Sequence, residues 1–177
     1  AVGFAPGLDL RSTPKKVDGE GTRRLVDAAR AAGVKKFVLV TSLLTNAKAV
    51  GQGDNPNYKF LNLFGGIMRA KIEGEDAVRS LYFKRDGLDY VVVRPGGLTE
   101  DEPRGVGAIE LNQGDDKSGR ISRADVAAIC VGSAIGANGC VGNATFECYW
   151  ADSAKGLDAV GFSNMTGGTN ADGDYVS

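Results

Sequence analysis

Three short segments combine hydroxyls, bare backbone and fixed turns as a flat, polar ligand requires: Gly3-Phe4, Thr41-Ser42 and Arg94-Pro95-Gly96-Gly97. Each follows an apolar run with the composition of a buried strand, and in parallel α/β sheets ligands bind beyond the carboxyl ends of the strands. Hydroxyls at Thr41 and Ser42 can bond a ligand, glycines at 3, 96 and 97 let backbone approach it, and Pro95 fixes the turn. Lys71 is a further candidate, because an ammonium near that sheet edge can bond ribose hydroxyls or lower the pKa of a neighbouring acid. With Glu75 four residues on, it also reads as an ordinary solvated helix pair. No catalytic residue is identified from spacing alone.

Other chemistries are excluded by composition. The 177 residues contain no histidine, which removes His-based triads, His zinc sites and imidazole switching. Cys130, Cys140 and Cys148 are odd in number and match no disulfide framework or C-x-x-C pattern, so buried thiols in a reducing compartment are expected and no metal site. Twenty-one basic residues nearly cancel 22 acidic ones, leaving no whole-chain drive toward nucleic acid or anionic lipid. Arg23-Arg24 and Lys35-Lys36 are short pairs of the kind usually found on solvated surface. No apolar stretch approaches the roughly 20 residues that span a bilayer, and a soluble mature chain is expected.

The elements that must position these residues alternate between helix and buried strand. A helical period runs over 15–32, with Leu25, Ala28, Ala29 and Ala32 as its apolar stripe and Gly33 at its end. Phe37–Val40 is a continuous apolar run, as expected of a parallel strand covered on both faces. Breakers fill 43–57, a short helix is expected over 58–64, and a longer one over 67–81. That longer helix carries Ile67, Ala70, Gly74, Ala77, Val78 and Leu81 on one side and its charges, Glu75 and Arg79 among them, elsewhere. Asp89–Arg94 supplies a second buried strand closed by Pro95-Gly96-Gly97, and helix-strand alternation of this kind implies a parallel sheet. A short outer strand is expected within 106–111. Ser122 and Asp125 form a variant capping box that opens a helix whose buried stripe reads Val126, Ala127, Cys130, Val131 and Ala134. Residues 143–150 form a last strand.

The succession VDGEGTRRLVDAARAAGVKKFVLVTS, NYKFLNLFGGIMRAKIEGEDAVR, GLDYVVVRPGGLTEDEP and SGRISRADVAAI resembles the atypical, NmrA-like short-chain dehydrogenase/reductase superfamily. Within it, the likeness is to plant and algal plastid NAD(P)-binding proteins, relatives of the dehydrogenase-like component of the inner-envelope translocon. The resemblance implies that Thr41-Ser42 ends the fifth strand and that Arg94–Gly97 follows the sixth beside the nicotinamide end of the cofactor. Two departures stand out. The phosphate-binding G-x-x-G-x-x-G, which lets backbone amides approach a pyrophosphate, is absent. In the catalytic Tyr-x-x-x-Lys, Ile67 stands four residues before Lys71 and has no ionisable hydroxyl with which to exchange a proton.

The expected fold is therefore α/β, the C-terminal half of a Rossmann-like doubly wound parallel sheet. A partial NAD(P)-binding domain is expected over 1–150 and an irregular tail over 151–177. The opening Ala1-Val2-Gly3 aligns with the end of the family's fourth strand, so a portion of a longer chain, or a half-fold completed by neighbours, is expected. The sequence shown requires no cofactor by itself, and NAD(P) is expected in the complete chain. Two functions stay open: a reductase-like NAD(P)-binding protein with weak or no catalysis, or a non-catalytic accessory subunit of a plastid (photosynthetic) or respiratory membrane complex. Ten of the fourteen residues in Asn164–Ser177 are Gly, Asn, Thr, Asp or Ser, too polar to order alone, so a partner protein is expected there. The resemblance implies a plastid location, in the stroma or at the stromal membrane surface, with the mitochondrial matrix as the alternative.

Overall fold

A computed structural model describes residues 13–49, 51, 53–63, 65–115, 117–137 and 142–153. A π-helical segment, Lys15–Gly21, runs into α1 (Thr22–Ala31), followed by β1 (Lys36–Val40) and a turn-rich stretch to α2 (Pro56–Leu63). Next come α3 (Ile67–Tyr82), β2 (Asp89–Pro95) and β3 (Gly97–Thr99), then β4 (Ile109–Asn112) and β5 (Arg120–Ser122). Then follow α4 (Arg123–Ile135) and β6 (Ala144–Trp150), and the described residues close with a 3-10 turn, Ala151–Ser153.

The main sheet has the order β1-β2-β6-β4. β1, β2 and β6 are parallel, in register Val38↔Val91↔Ala144, and β4 runs antiparallel to β6 with Leu111 opposite Cys148. This is the expected mixed α/β architecture on a parallel sheet. β2 and β6 are covered on both faces, which explains why they read as continuous apolar runs without alternation. On one face Val91, Val93, Phe146, Cys148 and Trp150 pack under Val126 and Ile129 of α4. On the other, Tyr90 and Val92 pack with Val26, Val78 and Tyr82 of α1 and α3.

Helix existence follows the sequence period, but the buried stripes are rotated from the expected ones. In α1 Val26 is buried while Leu25 is 61% exposed. In α4 the buried positions are Asp125, Val126, Ile129 and Ser133, whereas Val131 is 60% exposed. In α3 Glu75 and Arg79 are buried beside Met68, Ala70 and Val78, so part of the supposedly solvated face turns inward. Gly74 allows the approach of α3 to the π-helical segment, since a Cβ there would lie 2.7 Å from the Asp18 carbonyl oxygen. The Ser122 cap forms as expected: its Oγ accepts from the Asp125 amide at 3.1 Å and donates to Asp125 Oδ2 at 3.0 Å. The Asp125 carboxylate also accepts from the Trp150 indole and from the amides of Arg104 and Gly105. It thereby joins helix start, last strand and loop.

The three-residue strands β3 and β5, paired in parallel from Gly97↔Arg120 to Thr99↔Ser122, carry no periodic signal. They hold residues 118–122 against the turn that follows β2.

Candidate functional site at the carboxyl edge of the sheet

Where β1 and β2 end, the chain opens a cleft of about 490 Å³. Thr41 and Ser42 form one side of it, Pro95, Gly96 and Gly97 a second, and Ser118-Gly119 a third. Leu43, Leu44, Leu98 and, from α2, Asn57, Phe60 and Leu61 complete it. Of the expected residues, the structure brings together Thr41, Ser42, Pro95, Gly96 and Gly97. Gly3 and Phe4 lie outside the described residues, as do Cys140 and the 154–177 segment.

Backbone bonds fix the two strand ends against each other. The Thr41 amide donates to the Val93 carbonyl at 2.8 Å and the Leu43 amide to that of Pro95 at 3.0 Å. Gly96 donates to Cys148 O and Gly97 to Gly119 O, each at 2.9 Å. The two glycines differ in what they permit. A Cβ on Gly96 would stand 2.3 Å from the Gly119 carbonyl oxygen, so this glycine exists for close backbone packing. At Gly97 the nearest atom would be Arg120 Cγ at 3.7 Å, an ordinary contact, and the residue is exposed on the cleft wall.

Arg94 and Lys71 take other places. The Arg94 side chain is fully buried, bound to Glu75 by Nε–Oε1 at 3.1 Å and Nη2–Oε2 at 2.7 Å, and to Glu147 Oε1 at 3.3 Å. Lys71 pairs with Asp18 at 2.9 Å and is absent from the cleft lining. No ionisable side chain stands among the described residues lining the cleft.

Immediately beneath the cleft lies a buried ionic network that the sequence reading missed. Thr41 Oγ1 donates to Glu75 Oε1 at 2.7 Å, and Arg79 Nη2 donates to Glu75 Oε2 and Thr145 Oγ1, both at 2.9 Å. The Asp115 amide donates to Glu147 Oε2 at 3.2 Å. Burial pushes the Glu75 carboxyl upward, but Arg94, with Arg79 and Thr41, outweighs it and holds the group below its ordinary value. Burial raises Asp115 and lifts Glu147 to about 7 against the pull of Arg94. Two guanidiniums thus face three carboxylates, and burial, with Asp115 nearby, lets Glu147 keep its proton up to about 7. The available signal was Glu147 itself, an acid in the middle of a strand otherwise built of apolar and hydroxyl residues.

Residues 3–135 match the family described as NAD(P)H-binding. An uncharacterized chloroplastic protein of Arabidopsis thaliana is 53% identical over 105 residues, 59% of this chain and 35% of that protein. The chloroplastic protein TIC 62 of Pisum sativum is 39% identical over 85 residues, 48% of this chain and 14% of that protein. The chain spans about a third or less of the length of these relatives. The crystal structure of the oxidoreductase ylbE from Lactococcus lactis superposes with a TM-score of 0.61 at 18% identity, over 92% of this chain and 75% of that one, a likeness of fold alone. Matched over most of its length and built on a Rossmann-like parallel sheet, the chain belongs to the NAD(P)H-binding family of atypical short-chain dehydrogenases/reductases.

Proposed function

We propose that the protein binds NAD(P)(H) at the carboxyl-edge cleft, in the plastid, with weak or no catalysis of its own. The observation that carries this reading is the character of the cleft: strand ends, bare backbone and neutral side chains, without an acid or base among its described lining residues. Such walls suit the nicotinamide-ribose end of the cofactor. Ser42, Asn57 and Ser118 offer donors and acceptors for its carboxamide and hydroxyls, while Pro95, Leu98 and Phe60 offer apolar surface for the ring. The pyrophosphate calls for cations or converging amides, and no lysine or arginine stands among the described lining residues.

When bound, the cofactor supplies or accepts a hydride. Reduction of a carbonyl also requires a proton donor within hydrogen-bond reach. Ile67 cannot be that donor, and Lys71 is held by Asp18 away from the cleft. The chloroplastic names of several relatives support the plastid location; within it we place the protein in the stroma or at the stromal membrane surface. No described helix is long and apolar enough to cross a membrane.

A second reading, an accessory or assembly subunit of a larger plastid or respiratory membrane complex, draws on the exposed Val131 and Ile135, one turn apart on α4. The test for cofactor binding and catalysis is thermal unfolding of the full chain with NADPH or NADH, followed by cofactor oxidation with quinone and aldehyde acceptors. Protection from unfolding without appreciable oxidation is expected. No protection at millimolar cofactor overturns binding, and rapid oxidation overturns the absence of catalysis.

A further inference from the structure

Two non-glycine residues near the cleft adopt left-handed backbone: Leu44, with φ +63°, and Asp115, with φ +54°. L-residues seldom hold this conformation unless their surroundings enforce it. Here each is enforced by the other's neighbourhood. Asp115 is fully buried, and its carboxylate accepts from the Leu44 amide through Oδ1 at 2.5 Å and from the Asn46 amide through Oδ2 at 2.8 Å. One carboxylate therefore spans two amides of a single turn.

That turn walls the cleft. Leu43 and Leu44 line it, and the Leu43 amide ties the same turn to Pro95, the cleft residue at the end of β2. Asp115 is in turn anchored from the interior: its amide donates to Glu147 Oε2, and Glu147 Oε1 accepts from Arg94 Nη1. The shape of the cleft wall is thus set from β2 and β6 through one buried side chain.

We propose that Asp115 is a positioning residue of the cleft, its carboxylate holding the 43–46 turn in the form that receives the ligand. The proposal rests on the reading of the cleft as the cofactor site. The geometry demands two acceptors, and among small side chains only a carboxylate offers them. Asn has one oxygen and would set an NH2 against the second amide. A residue that merely stapled a loop would change stability without changing affinity beyond it.

The experiment uses the full chain with Asp115→Asn and Asp115→Ala. Amide hydrogen exchange resolved by NMR is combined with titration of NADPH. In Asp115→Ala, exchange at Leu44 and Asn46 is expected to rise on the order of tenfold or more while β2 and β6 amides stay protected. NADPH affinity is expected to fall by about tenfold through loss of preorganisation, with Asp115→Asn between that variant and wild type. Should Asp115→Ala fail to fold, Asp115→Asn carries both measurements. Unchanged exchange at Leu44 and Asn46, or exchange that rises equally throughout the sheet, overturns the proposal, as does wild-type affinity in a variant whose turn has loosened. If wild type itself binds no NADPH, the cofactor reading fails, and the exchange pattern alone decides whether Asp115 holds the turn.

Discussion

The guanidinium of Arg94 meets the carboxylate of Glu75 along two edges, at 3.1 and 2.7 Å, and neither side chain is reached by solvent. A buried pair of this kind contributes less net stability than its Coulomb energy suggests, but removing one partner leaves an uncompensated charge. Arg94→Met is therefore expected to cost about 3–5 kcal/mol, and the double variant Arg94→Met with Glu75→Leu less than the sum of the two single changes. Urea unfolding of the four proteins measures this, and strict additivity would show that the pair is not coupled.

Gly96 and Gly97 adjoin in sequence and differ in consequence. Gly96→Ala drives a methyl into the Gly119 carbonyl at 2.3 Å, where backbone must move, and a loss of about 2–4 kcal/mol is expected. Gly97→Ala meets only Arg120 Cγ at 3.7 Å, and a change within about 1 kcal/mol is expected. Equal Tm values for the two variants would contradict the close approach of 96 to 119.

The strands and the cleft edge were legible because their burial is written locally. Phe37–Val40 and Tyr90–Val93 are apolar without alternation, Pro95-Gly96-Gly97 ends a strand, and Ser122 with Asp125 marks a helix start. The ionic network was not legible, because Glu75 and Arg79 are four residues apart on α3 and read as a surface pair. What draws them inward comes from elsewhere in the chain: Thr145 of β6 accepts from Arg79, and Thr41 and Arg94, at the ends of β1 and β2, donate to Glu75. The rotated stripes of α1 and α4 have a similar origin. Both helices carry more apolar residues than one face needs, and the sheet contact selects Val26 over Leu25 and Ile129 over Val131.

Glu147 gives the fold a pH signature. Its folded-state pKa, about 7, lies above the ordinary 4.5, so between those values the folded protein binds the proton and the unfolded chain does not. Stability is then present below pH 4.5 and lost as pH rises through about 7, by up to about 3 kcal/mol from this group. Asp115, also raised, acts in the same sense. Glu75, held low, contributes stability lost only on acidification below its ordinary value. Urea midpoints from pH 5 to 8 should fall in wild type and flatten in Glu147→Gln; an unchanged slope would assign the effect elsewhere.

The Asp125 carboxylate accepts from four donors: the Ser122 hydroxyl of the helix cap, the Trp150 indole and the amides of Arg104 and Gly105. Those hydrogen bonds outweigh burial and hold the carboxyl below its ordinary value. Asp125→Ala is expected to cost about 2–4 kcal/mol by orphaning buried donors. Near-ultraviolet circular dichroism should report release of Trp150, and an unchanged spectrum with unchanged stability would contradict this role.

The central claim, that the cleft at the ends of β1 and β2 is where NAD(P)(H) binds, is tested most directly by calorimetric titration of NADPH into the full chain and its Gly97→Phe variant. The wall at Gly97 has room for a side chain, so the fold should persist while the ring fills the cleft. Saturable heat in wild type, lost or weakened by at least about tenfold in a folded Gly97→Phe, is the expected result. Equal binding by both proteins, or none by wild type, would contradict it.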